Sequence, residues 1–219
     1  MKVYGEFIEE NGLQFRTKTL LQFGDSWDLI GSIIMKNPGS ALPLKPIQND
    51  DIIRINKFYS NNEALDNWFE FKADNTMKKI EPIFNGKYIG EEIKLNGIIQ
   101  IFNLFNIREK DISIAKNLAN NCISEFLYPN ISDTINLFQK KPVYLGFHWE
   151  YVKKDRDNST YKLNVNNFAL KIFDHIKQNK NMYLNNDIID NYFYHPLSPQ
   201  ITNEKYLPTL EKFFKLFKN

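Results

Sequence analysis

Residues 28–35 make an apolar run fit for a buried strand, and the run breaks off at Asn37-Pro38-Gly39. Ile33, Ile34 and Met35 suit the interior of a sheet, whereas proline's fixed φ and glycine's freedom at positive φ suit a tight turn. A strand ending this way hands a polar side chain, Asn37, to the end of the core. In an open α/β sheet that is where ligands bind, in the crevice outside the carboxyl ends of the strands. The stretch 33–41 therefore says where a site would lie before it says what the site does.

The 219 residues, 42% hydrophobic and 25% charged, are enough for one domain with a sizeable core, taken as 1–219. Net charge is only +2, so global charge makes no case for a nucleic-acid partner and any basic face must be local. One cysteine, Cys122, excludes an intramolecular disulfide and a cysteine-built metal site. The first residues carry acid where a signal peptide needs an apolar run, and no apolar stretch approaches roughly 18 residues. A cytoplasmic monomer without membrane contact is expected.

Residues 3–8 and 13–21 alternate around Asn11-Gly12, a strong hairpin signal, so 1–22 reads as an N-terminal hairpin leading into the core. After the first core strand and a proline-rich loop, 50–59 reads as a short helix opening on Asp50-Asp51, within a possible insertion at 50–72. Asp74-Asn75-Thr76 predicts the N-cap of a helix through Phe84, and 97–102 is a second apolar strand ending at Asn103. Ile112, Ala115, Leu118, Ala119, Cys122 and Ile123 have helical spacing behind Asp111. Further helices are expected at 132–139, at 165–177 and at the C-terminus, where Leu207, Leu210, Phe213, Phe214 and Phe217 share a face. Strands at 143–147 and 188–194 complete the pattern. Strands separated by helices predict an α/β three-layer sandwich around a central, mostly parallel sheet.

In such a sheet the ends of the four strands lie on one edge, bringing Asn37, Asn103, the segment 146–149 and His195-Pro196-Leu197-Ser198 around one crevice. The order of these motifs, with Phe102-Asn103-Leu104-Phe105 after strand two, resembles the uracil-DNA glycosylase superfamily. More narrowly, 34–41 followed by Asp74-Asn75-Thr76-Met77-Lys78-Lys79-Ile80 and Asn103-Leu104-Phe105-Asn106-Ile107-Arg108 resembles the domain of unknown function 1643 family. The narrow likeness covers about positions 25 to 110 and resumes near His195.

The superfamily resemblance implies cleavage of the N-glycosidic bond of a base flipped out of DNA, with water as nucleophile and no metal or cofactor. Asn37 matches the position that holds the water in the mismatch-specific branch, where Asn stands in place of Asp. An amide orients water but cannot take its proton. Asn103 matches the residue whose amide reads the pyrimidine edge, with Phe102 beside it in the base-binding group. His195 matches the donor to the base carbonyl as negative charge develops there. Leu197 matches the wedge that fills the vacated stack, and Ser198, with Ser40, a phosphate contact. The last motif is shorter than the superfamily's His-Pro-Ser-Pro-Leu-Ser. Gly39 stands where the Asp-bearing branch has a bulky Tyr that shuts out C5 substituents, so an open pocket wall and a damaged or C5-modified pyrimidine are expected as well as uracil.

Read without the resemblance, the same residues have plainer roles. Asn37-Pro38-Gly39 is then a turn, Asn103 a cap, His195 a loop residue beside proline, Asp74 a helix cap and Cys122 a core side chain. Phosphate-binding glycine motifs are absent, and none of the three histidines sits in an i, i+4 pair. Lys140-Lys141 and Lys153-Lys154 with Arg156 have the chemistry for phosphate contacts. A DNA glycosylase acting in repair or defence is the leading expectation, and a non-catalytic DNA- or nucleotide-binding module on the same fold is the alternative.

Overall fold

The computed structural model describes residues 1–62, 64–147, 160–183 and 194–218. The chain begins with β1 (Lys2–Glu10) and β2 (Leu13–Phe23), joined by Asn11 at φ 53° and Gly12 at φ 74°. Two consecutive positive φ values suit the right-handed twist of a tight hairpin, and Asn and Gly are the residues that adopt them at least cost. β3 (Leu29–Met35) carries the apolar run, and β4 (Pro43–Pro46), α1 (Asn49–Tyr59) and β5 (Trp68–Phe71) follow. Then come α2 (Asn75–Phe84), β6 (Gly97–Asn103), α3 (Ile112–Asn121), α4 (Ile131–Leu137), β7 (Val143–Leu145), α5 (Thr160–Ile176) and α6 (Leu207–Lys218).

The seven strands form one mixed sheet in the order β4-β5-β1-β2-β6-β3-β7. Among the described residues β3–β6 and β3–β7 pair in parallel, while β1–β2, β1–β5, β2–β6 and β4–β5 are antiparallel. The expectation of a mostly parallel sheet is thus corrected: the sheet is mostly antiparallel, with a parallel trio at one end. The reason lies in the hairpin. A two-residue turn permits only antiparallel pairing, and β2 docks directly on β6, making the hairpin part of the sheet's middle instead of an approach to it. Residues 43–71 then add two more antiparallel strands beyond β1, so the stretch 50–72 widens the sheet and packs on it through Ile55 and Trp68.

Helices cover both faces. On one, α3, α4 and α5 pack against Ile34, Phe102, Val143 and Leu145. On the other, α2 and α6 pack against Ile33, Met35, Ile101 and Tyr144. Alternate residues of each central strand therefore bury against different helices, which explains why β3 and β6 read as continuous apolar runs. Asp74 is an N-cap as expected, accepting from Met77 N–H, and α3 starts beside Asp111, which caps it by accepting from the N–H groups of Ser113 and Ile114. α3 stops at Asn121, however, and Cys122 takes an extended conformation. Cys122 is half-buried beside the core, and Ile123 is 97% exposed, so neither belongs to the helix's apolar face. The expected strand at 188–194, save Tyr194, and the cations Lys153, Lys154 and Arg156 lie outside the described residues; Thr160 opens α5.

Candidate functional site

The carboxyl ends of β3 and β6 face the same way because the two strands pair in parallel, with Met35 opposite Asn103. Beyond β3 the chain turns through Asn37-Pro38-Gly39, and this turn is braced from beneath. Leu104 N–H donates to Met35 O at 2.9 Å, and Arg108 Nη1 donates to Ser40 O at 3.1 Å. Arg16, reaching up from β2, donates through Nη2 to the carbonyl of Pro38. Two guanidinium groups thus hold the turn by its backbone, leaving its side chains for other work.

These residues line a cavity of about 380 Å³. Its wall includes Asn37, Gly39 and Ser40 from the turn, Asn103 from β6, Asp74 and Met77 at the start of α2, and His195 and Leu197 from the C-terminal segment. Such a volume is at the low end for small-molecule sites and matches a nucleobase or nucleoside better than a large cofactor. Six of the residues singled out by the sequence, Asn37, Gly39, Ser40, Asn103, His195 and Leu197, meet here.

Their polar atoms are directed by neighbours. Asn37 Nδ2 donates to Glu109 O at 2.7 Å. A carbonyl accepts only, so the amide nitrogen must face it, and Oδ1 is left as the acceptor of that side chain. Gly39 sits at φ 71°, and a Cβ built there would meet nothing nearer than Asp74 Oδ2 at 3.8 Å. Space for a Cβ is therefore left beside Gly39. Asp74 has two functions: Oδ1 caps α2 by accepting from Met77 N–H at 2.8 Å, and the same carboxylate lines the cavity.

His195 is held through its preceding residue. Tyr144, from β7, donates its hydroxyl to Tyr194 O at 3.0 Å, and the Tyr194 ring packs edge-on against Tyr206 with centroids 4.6 Å apart. His195 Nδ1 accepts from the backbone N–H of Leu197 at 3.2 Å, so the ring proton of the neutral form lies on Nε2. Burial, and secondarily the charge of Lys36, push the imidazole down to about 4, against the opposing pull of Asp74. At neutral pH the side chain is an uncharged Nε2–H donor.

Two other expectations land elsewhere. Phe102 alternates with Asn103 along β6 and points to the opposite face of the sheet, where its ring packs edge-on against Phe138 at 5.5 Å. It is a core residue and does not line the cavity. Ser198 does not line it either; its hydroxyl accepts from Gln200 N–H at the head of a short 3₁₀ turn, Pro199–Thr202.

Arg16 is the residue that sequence reading missed. It is 2% exposed, lies over the Phe71 ring at 5.0 Å, and has Nε and Nη1 buried without a hydrogen-bond partner. Desolvation lowers its guanidinium to about 10, with Asp74 pulling the other way, so the group stays charged at neutral pH. Asn103 Nδ2 is likewise buried without a partner. Among the described residues no cluster of three or more His, Cys, Asp or Glu is arranged to hold a metal ion. No helix among them is long and apolar enough to cross a membrane.

No family model, curated protein or solved structure matches the chain.

Proposed function

We propose that the protein is a monofunctional DNA N-glycosylase on a uracil-DNA-glycosylase-like scaffold, hydrolysing the N-glycosidic bond of a flipped uracil-like, damaged or C5-modified pyrimidine. The observation that carries the reading is the meeting of Asn37, Asn103 and His195 in one nucleobase-sized cavity at the carboxyl edge of the parallel strands.

The chemistry follows from the atoms left available. Asn37 Oδ1 accepts a hydrogen bond from water and aims it at the anomeric carbon, while Asn103 reads the pyrimidine edge. As the bond to the base breaks, its electron pair moves onto the ring, and neutral His195 donates Nε2–H to the carbonyl that gains charge. Asp74 offers the carboxylate that an amide cannot replace, taking the proton that water loses as it bonds to the sugar. Leu197, 47% exposed at the cavity edge, is an apolar side chain placed to fill the gap in the base stack.

The test is to incubate the protein with duplexes carrying uracil, mismatched or C5-modified bases and to score alkali-labile abasic sites. Asn37→Ala and His195→Ala are each expected to lower the cleavage rate about 100-fold or more. Asp74→Asn keeps a good capping residue and is expected to cost a similar factor in a chain whose circular dichroism still shows it folded. DNA binding without abasic sites across the whole panel would instead leave a non-catalytic DNA- or nucleotide-binding module.

A further inference from the structure

A guanidinium buried to 2% exposure with two nitrogens unpartnered is costly unless a ligand completes it, because unsatisfied buried donors each lose their hydration. Arg16 lines the cavity, and so does Asn103, whose Nδ2 is also buried and unpartnered. Arg16 is anchored by its third nitrogen to the carbonyl of the peptide joining Pro38 to Gly39, which puts its charge beside the open wall. Lys110 lines the same cavity. Beside these two cations the cavity wall carries one carboxylate, Asp74, with one oxygen already held by the first turn of α2.

We propose that Arg16, with Asn103 beside it, forms an oxyanion-binding subsite next to Gly39, and that the natural ligand carries a carboxylate or phosphate in addition to a pyrimidine ring. The pairing is chemically apt: the unpartnered N–H groups of a charged guanidinium, with the amide N–H of Asn103, make charge-assisted hydrogen bonds to an oxyanion that an uncharged carbonyl answers more weakly. Plain uracil leaves that side of the cavity unanswered. The proposal rests on the pyrimidine reading of the cavity and narrows it to acidic ligands.

Binding, read apart from cleavage, tests it. Calorimetric titration of the full chain with uracil, uracil-5-carboxylate, uracil-6-carboxylate and inorganic phosphate compares the oxyanion sources directly. At least one ring carboxylate, or phosphate, is expected to bind about tenfold to a hundredfold tighter than uracil. A ring carboxylate winning locates the acid on the base, and phosphate winning locates it on the nucleotide backbone. Arg16→Met is expected to erase the preference, and Arg16→Lys, which keeps the charge but loses the planar set of donors, to retain only part of it. Should Arg16→Met fail to fold, a rise in wild-type melting temperature that saturates at low phosphate concentration, where general salt effects are small, gives the same answer. Uracil binding as tightly as both carboxylates, with phosphate giving neither heat nor thermal shift, would overturn the subsite. Excision of uracil with no preference for acidic ligands defeats the subsite alone, whereas acid binding without excision of any base defeats the glycosylase reading alone.

Discussion

His195 couples the cavity to pH. In the unfolded chain a histidine binds its proton below about 6.5, but burial in the folded state delays this to about 4. Between those values unfolding takes up a proton, so stability falls as pH drops through the window and recovers above it. The loss between pH 7 and pH 5 is up to about 2 kcal/mol, readable as a lower urea midpoint, and His195→Gln should flatten that difference. An unchanged pH dependence in the variant would show that other groups set it. Asn37, Gly39, Asn103 and His195 were legible in sequence because each follows a strand or precedes a proline, positions where polar side chains meet ligands. Arg16 was not. In an alternating strand it reads as the solvent-facing partner of Phe15, and that inference fails because the second face of the sheet is covered too, by Phe71, α2 and the turn at Pro38. Asp74 was half legible, since its capping pattern is local and its place in the cavity depends on how α2 packs.

Phe102 shows how strand periodicity separates neighbours that a motif joins. Asn103 and Phe102 are adjacent in sequence, yet β6 sends one into the cavity and the other into the layer of α3, α4 and α5. Phe102→Leu is expected to cost about 1 kcal/mol or slightly more in stability through lost packing on Phe138, while leaving the cleavage rate per folded molecule within about twofold. Chemical denaturation and single-turnover cleavage check the two halves, and a large rate loss would return Phe102 to the site. Caps and turns were the most legible elements because their signals are local: Asn11-Gly12, Asp74 and Asp111 all do what their residue types suggest. The end of α3 was not legible, since Cys122 and Ile123 continue the helical spacing and only the backbone's departure at Cys122 removes them.

Across the whole molecule the sheet joins two kinds of connection. The parallel trio β6, β3 and β7 needs long crossovers, and the ends of β3 and β6 border the cavity, whereas the antiparallel wing opens on a two-residue hairpin and supplies Arg16. Counting alternating strands and helices anticipated the first and underestimated the second, because β1 and β2 have no helix between them and α1 connects an antiparallel pair, β4 and β5. The wing ends at β4, whose four residues are all exposed and whose first and last residues, Pro43 and Pro46, have no N–H to offer. An open strand edge is a template on which another chain can align and grow into a fibril, and proline there withholds the donors such growth needs. Replacing both prolines by threonine should shorten the lag before thioflavin-positive aggregates form on mild heating, with little change in the unfolding midpoint. An unaltered lag would mean the edge is protected by other means. The same two residues that end the sheet would then be what keeps a concentrated solution of this protein from seeding on itself.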